Sequence, residues 1–263
     1  MDRYYTNEKN VLIVIALLKA HNIRKVVASP GGTNVSFVAS VQHDPFFQIY
    51  SAVDERSAGY IACGLASAAR EPVVLSCTGA TASRNYMPAL TEAFYRKLPI
   101  LAITSTQNLN RIGMHHAQVL DRRVVPNDIA QLSVTIPSIR DEEDAWGCEV
   151  RANQAMLELT RHGGMPVHIN LETTFSQDFS VQELPAVRII RRIRYNNPRP
   201  ELPNGRIGIY VGAHQEWSKT LFETVESFCK KYNAIVFCDH TSNYRGQYSC
   251  FVSRLTSQVE YLA

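Results

Sequence analysis

The alternation of short apolar runs with stretches of helical period, repeated from Met1 to Glu172, constrains this chain more than any other feature. Such alternation is the signature of a parallel sheet covered by helices on both faces. A helix is predicted from about Glu8 to Ala20, followed by a strand at Lys25 to Ser29 that Pro30, Gly31 and Gly32 stop. A strand from Phe46 to Val53 then leads to a helix from about Arg56 to Ala69, whose Gly59, Ala62, Gly64, Ala66 and Ala69 let it lie close to a neighbour. Next come a strand at Pro72 to Cys77, a helix from about Ser83 to Tyr95 and a strand at Pro99 to Ser105. Gln107 to Leu120 has no clean period and is predicted as a long loop. Helical segments near Asn127 to Leu132 and Glu142 to Arg161 bracket a hydrophobic piece at Val134 to Ile136, and Pro166 to Leu171 closes the pattern as a strand.

Beyond Glu172 the composition changes. Polar residues, Pro185, Pro198, Pro200, Pro203 and the basic residues Arg188, Arg191, Arg192, Arg194 and Arg199 mark a linker. A strand at Arg206 to Val211, a helix at Trp217 to Tyr232 and a strand at Ala234 to Cys238 follow, too little for an independent α/β core. The domain expectation is therefore 1–175, a linker at 176–204, and a partial second domain at 205–263.

Composition excludes several classes. With 45% apolar and 19% charged residues the chain is globular, and a net charge of +3 does not point to nucleic acid. The apolar run Val11 to Leu18 follows Asp2, Arg3, Glu8 and Lys9 without a small-residue cleavage site after it, so it reads as an amphipathic helix rather than a secretion signal or a membrane span. Cys63, Cys77, Cys148, Cys229, Cys238 and Cys250 form no close ligand pattern and sit in apolar runs, as reduced thiols of a cytoplasmic protein do. No metal site is predicted within the chain.

Function in an open α/β sheet collects at the carboxyl ends of the strands. Three segments compete for that place: Ser29-Pro30-Gly31-Gly32-Thr33-Asn34, Val53-Asp54-Glu55-Arg56 and Ser76-Cys77-Thr78-Gly79-Ala80-Thr81. Pro-Gly-Gly permits a tight turn and close approach of a ligand, but neither the G-x-G-x-x-G fingerprint nor a Walker lysine accompanies it. Asp54 and Glu55 serve either as caps of the next helix or, given how apolar that helix is, as a carboxylate held in a protected interface where it shares a proton with a basic nitrogen. Thr78 and Gly79 either cap a helix or leave room for a flat ring.

Taken together, these segments resemble the pyrimidine-binding domain of thiamine-diphosphate enzymes, the superfamily of acetolactate synthase, the 2-oxo acid decarboxylases and SEPHCHC synthase. The resemblance runs from about Asn10 to Glu172. It is carried by Ala28-Ser-Pro-Gly-Gly, Asp54-Glu55-Arg56 with Gly59-Tyr-Ile-Ala-Cys-Gly-Leu-Ala, Cys77-Thr-Gly-Ala-Thr-Ala-Ser-Arg-Asn, Pro88-Ala-Leu-Thr-Glu-Ala, Pro99-Ile-Leu-Ala-Ile-Thr and Gly163-Gly-Met-Pro-Val-His-Ile-Asn. Asp-Glu-Arg at 54–56 looks most like the SEPHCHC synthase branch.

The resemblance implies a fold, a cofactor and roles. The fold would be a parallel α/β sandwich followed by the start of a Rossmann-like central domain. Glu55 would hydrogen-bond the aminopyrimidine ring nitrogen of thiamine diphosphate and so drive formation of the ylid. Pro30, Gly31, Thr78 and Gly79 would lie beside the cofactor. Gln118 would match a substrate-reaching glutamine, and His115 and His116 in the same loop are either proton carriers or ordinary surface residues. Arg84 and Arg111 are either substrate-carboxylate contacts or solvated side chains. The family's Gly-Asp-Gly segment with its later Asn, which holds Mg²⁺ and diphosphate, is not found in these 263 residues. Half a cofactor site is thus expected, completed by another domain or chain in a homodimer or higher oligomer acting on a small 2-oxo acid. A non-catalytic assembly module on the same fold is the alternative.

Overall fold

A computed structural model of the chain describes residues 4–202 and 204–253. Expectations resting on Asp2, Arg3, Pro203 and residues 254–263 lie outside the described residues. Two compact units divide between Arg192 and Ile193.

The first unit contains, in chain order, α1 (Lys9–Ala20), β1 (Lys25–Ala28), α2 (Val35–His43), β2 (Gln48–Ser51), α3 (Glu55–Ala69), β3 (Val73–Cys77), α4 (Ala80–Asn85), α5 (Met87–Arg96), β4 (Ile100–Thr106), β5 (Leu132–Ile136), α6 (Glu142–Leu159) and β6 (Val167–Glu172). Its six strands are all parallel, in the order β2-β1-β3-β4-β6-β5. Every residue of β3, β4 and β6 is buried, because helices cover both faces. One core packs Val14, Leu17 and Leu18 of α1, Phe37 and Val41 of α2 and Met156 and Leu159 of α6 on one face. The other packs Ala58, Ala62 and Ala66 of α3 with Ala89, Leu90 and Ala93 of α5 on the opposite face. The predicted sandwich is the observed architecture.

Several boundaries differ from expectation. Helix α2 has no counterpart in the sequence reading: its Val, Ser and Phe residues have weak helical propensity, and burial of Phe37, Val38 and Val41 stabilises it instead. The single helix expected from Ser83 to Tyr95 is two, with Pro88 in the first turn of the second. Asn127 to Leu132 is not helical; Ile129 N–H closes a turn on the Pro126 carbonyl and Leu132 pairs with Val167. At the sheet edge, the strand expected from Phe46 to Val53 shortens to β2, which pairs on one side only. Within 107–120 a 3-10 turn forms at Leu109–Arg111.

Much of the expected linker is held by the first unit. Tyr5 bridges Val181, Ile190 N–H donates to Asn153 Oδ1 at 2.8 Å, and Arg192 pairs with Glu158 at 3.1 Å. The second unit has β7 (Gly208–Tyr210), α7 (Lys219–Tyr232), β8 (Ile235–Cys238) and β9 (Ser249–Phe251), its strands parallel in the order β7-β8-β9. Ser218 caps α7 through Leu221 N–H, and β9 was not anticipated. All six cysteines are free and only Cys250 is more than marginally exposed. Among the described residues no helix is long and apolar enough to cross a membrane.

Candidate active site

The carboxyl ends of β1 and β3 are neighbours in the sheet, yet the chain leaves them toward opposite faces. From β1 it enters α2; from β3 it enters α4 and α5. A crevice opens where neighbouring connections diverge in this way, and in open α/β sheets that crevice is where ligands bind.

Two buried residues tie the crevice together. Asn34 Oδ1 accepts the Gly31 N–H at 2.8 Å while its Nδ2 donates to Ser29 O at 3.2 Å and Ser76 Oγ at 3.3 Å, clamping the loop after β1 to the end of β3. Thr33 Oγ1 accepts the Gly79 N–H at 3.1 Å and donates to Ser105 O at 3.2 Å, and its carbonyl accepts from Thr173 Oγ1 at 2.6 Å. The ends of β1, β3, β4 and β6 are thereby fixed to one another.

This clamp leaves no space beside two glycines. A Cβ on Gly31 would run into the methyl group of Thr78, and one on Gly79 would lie 2.6 Å from the Ser105 carbonyl oxygen. Pro30-Gly31 and Thr78-Gly79 are therefore in direct contact, as the sequence reading grouped them. Ala80, the first residue of α4, has φ 57°, a left-handed conformation that strains a side-chain-bearing residue.

Glu55 stands at the head of α3. The cap is Asp54, whose carboxylate accepts the Ser57 N–H at 2.8 Å, so the capping role weighed for both acids falls to Asp54. Glu55 is half-buried and, among the described residues, makes no hydrogen bond or ion pair. Its charge is felt by Cys77 and Tyr86, which lie behind the end of β3. Burial pushes the Cys77 thiol up to about 12 and the Tyr86 hydroxyl well above its ordinary range, so both remain neutral. Among the described residues, no hydrogen bond or ion pair occupies the acceptor oxygens of Glu55.

Exposed apolar side chains stand near Glu55 among the polar Asp54, Arg56 and Ser57. Val53, Tyr60 and Ile61 are exposed, and a Cβ on Gly64 would meet nothing. The inward side of α3 is different: a Cβ on Gly59 would lie 2.5 Å from that of Ala89, so some of the small residues serve the close contact with α5.

The remaining candidates are elsewhere. His115, His116 and Gln118 are exposed on the loop after β4, with left-handed backbone at His115 and Gln118, and no hydrogen bond or ion pair joins them to Glu55 or Thr78. Arg84 donates to the Asp121 carbonyl at 3.2 Å and Arg111 to Gln107 Oε1 at 2.5 Å. A cavity of about 650 Å³ opens at the ends of β4, β5 and β6, bordered by Arg111, Arg140 and Glu172. In the sequence, Thr33 and Asn34 stand out only as part of the turn after β1. Their position directly after Pro-Gly-Gly, where side chains that bond to backbone are common, was the available signal.

Residues 11–124 match the family described as thiamine pyrophosphate enzyme, N-terminal TPP binding domain. A 2-succinyl-5-enolpyruvyl-6-hydroxy-3-cyclohexene-1-carboxylate synthase from Bacteroides thetaiotaomicron is 41% identical over 191 residues, which is 72% of this chain and 34% of that protein. The enzyme of the same name from Porphyromonas gingivalis is 32% identical over 267 residues, covering 93% of this chain and 44% of its own length. The chain spans about a third to somewhat under half of these relatives. Among solved structures, the benzoylformate decarboxylase of Polynucleobacter necessarius superposes with a TM-score of 0.55 at 19% identity, over 88% of this chain and 43% of that one, which is a likeness of fold.

Proposed function

Because its first unit belongs to the N-terminal TPP-binding-domain family of thiamine pyrophosphate enzymes, we propose that this chain supplies the aminopyrimidine side of a thiamine-diphosphate-dependent 2-oxo acid decarboxylase or carboligase. The observation that carries the reading is the division of labour at the head of α3: Asp54 caps the helix, while Glu55 makes no hydrogen bond or ion pair among the described residues and its charge is felt by Cys77 at the end of β3. Thiamine diphosphate, when bound, supplies the carbanion chemistry that 2-oxo acid cleavage needs.

The residues of this chain orient and protonate. Glu55 holds a proton between its carboxylate and the ring nitrogen of the aminopyrimidine, a charge-assisted bond that gains strength when water is excluded. Gly31 and Gly79, set by Asn34 and Thr33, keep the floor of the crevice flat enough for a ring to approach. Pro30 and Thr78 form its rim. Gln118, His115 and His116 reach substrate only if the loop that bears them closes over the crevice.

Diphosphate and Mg²⁺ are bound by a second domain or chain, which seats on the exposed apolar side of α3 beside Val53, Tyr60 and Ile61 and dries the Glu55 site. Such an arrangement makes the active species a homodimer or higher oligomer. Within the class, the reading favours the activity named for the relatives, 2-succinyl-5-enolpyruvyl-6-hydroxy-3-cyclohexene-1-carboxylate synthase. Free, buried cysteines suit a cytoplasmic location.

The test is reconstitution of this chain with the diphosphate-binding portion of a relative, followed by CO₂ release from 2-oxo acids. Thiamine-diphosphate-dependent release that Glu55→Gln abolishes supports the proposal. Stable association without turnover favours the assembly module instead.

A further inference from the structure

Arg122 is a buried cation with no acid paired to it among the described residues. Only 3% of its surface is exposed. Nη2 donates to Asn170 Oδ1 at 2.7 Å and to Ser105 O at 3.3 Å, whereas Nε and Nη1 are buried without a hydrogen-bond partner among the described residues. Guanidinium groups do not shed their proton in proteins, and a buried charge requires a counter-charge or a full set of acceptors.

The groups facing Arg122 supply neither. Cys77 of β3 is a neutral thiol. His168 of β6 is neutral as well, pushed down to about 3 by burial and by the nearby Arg122 and Arg84, with its ring nitrogens against Thr104 Oγ1 and Ser133 Oγ, each at 2.7 Å. Arg84 of α4 adds a second positive charge. Asp121, next in the chain, turns away to pair with Arg123 at 2.7 Å. Burial above all holds Arg122 down to about 10, and Arg84 acts in the same direction.

Arg122, Arg84, Ser83, Thr104 and His168 supply the polar part of the lining of a cavity of about 20 Å³ that is otherwise largely apolar, bordered by Met87, Leu90, Val125 and Ile129. That volume accommodates a single small occupant and excludes an oxo acid. We propose that Arg122 and Arg84 bind one small monovalent anion of halide size in this cavity, behind Gly79. The placement couples the ion to the crevice, since a Cβ on Gly79 would lie 3.0 Å from Arg122 Nη1. An ion here completes the buried arginine and steadies both the Thr78-Gly79 segment and the loop that Arg122 closes. The inference is independent of the cofactor assignment.

Crystals of the chain soaked in sodium bromide test the site directly. The expected result is an anomalous bromide peak within about 3.5 Å of Arg122 Nη1. In parallel, the thermal midpoint at constant ionic strength is expected to rise saturably by about 2–4 °C when gluconate is replaced by bromide. Arg84→Gln, a change at an exposed side chain that leaves the fold intact, removes most of that rise. No peak at Arg122, or an equal rise in wild type and Arg84→Gln, overturns the proposal by showing a water-filled cavity or a general salt effect.

Discussion

Asp54 and Glu55 are chemically almost identical and one position apart, but the start of α3 separates their roles. An N-cap side chain reaches the N–H of the second or third helical residue, and Asp54 does so through Ser57 while Glu55 has already entered the helix. Asp54→Ala is therefore expected to lower the urea unfolding midpoint, whereas Glu55→Gln leaves the midpoint essentially unchanged. A similar argument applies to Gly31: Gly31→Ala forces its methyl against that of Thr78 and costs about 1–3 kcal/mol. Thr78→Ser, which removes the opposing methyl, should restore most of the loss in the double mutant; an additive loss would show that the clash is not the cause. Glu55 stands out in the sequence through the apolar helix that follows it, but which acid caps does not, because a helix start is read from sequence to no better than a few residues. Thr33 and Asn34 were illegible for another reason. Asn34 bonds locally to Gly31 and Ser29, but the partners that clamp the strand ends, Ser76, Gly79, Ser105 and Thr173, lie 42 to 140 positions away, beyond any local pattern.

Helix α3 carries two jobs on two faces. Gly59, Ala62 and Ala66 turn inward, where the glycine allows α5 to approach, while Tyr60, Ile61 and Gly64 face outward. The small-residue run was legible as a close-packing signal, and it serves α5 as well as the outer surface. If that outer face seats a partner, Ile61→Asp should shift sedimentation toward the monomer while changing unfolding free energy by no more than about 0.5 kcal/mol. Unchanged association would place the interface elsewhere. Helix α2 shows where periodicity falls short: nine residues of weak propensity become helical because Phe37 and Val41 are drawn into the core beneath α1. The split between α4 and α5 likewise follows from the geometry at Tyr86 and Pro88 rather than from hydrophobic pattern, which runs through the break.

At the scale of the whole first unit, an acid-sensitive group is built into the sheet. His168 stays neutral down to about 3 when folded, against an ordinary value of 6.5. Between these limits the unfolded chain binds a proton that the native one does not, so stability rises with pH across the window and falls on acidification. The loss approaches about 1.4 kcal/mol per pH unit. His168→Gln should flatten the pH dependence of the unfolding midpoint between about pH 4 and 6; an unchanged slope would assign the acid sensitivity to other groups. The parallel sandwich was legible because covered strands are apolar throughout, whereas the strand order shows only in the pairings, among them that of β1 with both β2 and β3. That pairing creates the switch-point crevice on which the functional reading depends. Its most direct test is proton exchange at C2 of thiamine diphosphate, followed by NMR in deuterated buffer on the chain reconstituted with a diphosphate-binding partner. Glu55→Gln should slow the exchange by about 10²- to 10⁴-fold while the cofactor stays bound; exchange at the wild-type rate would contradict the role given to Glu55.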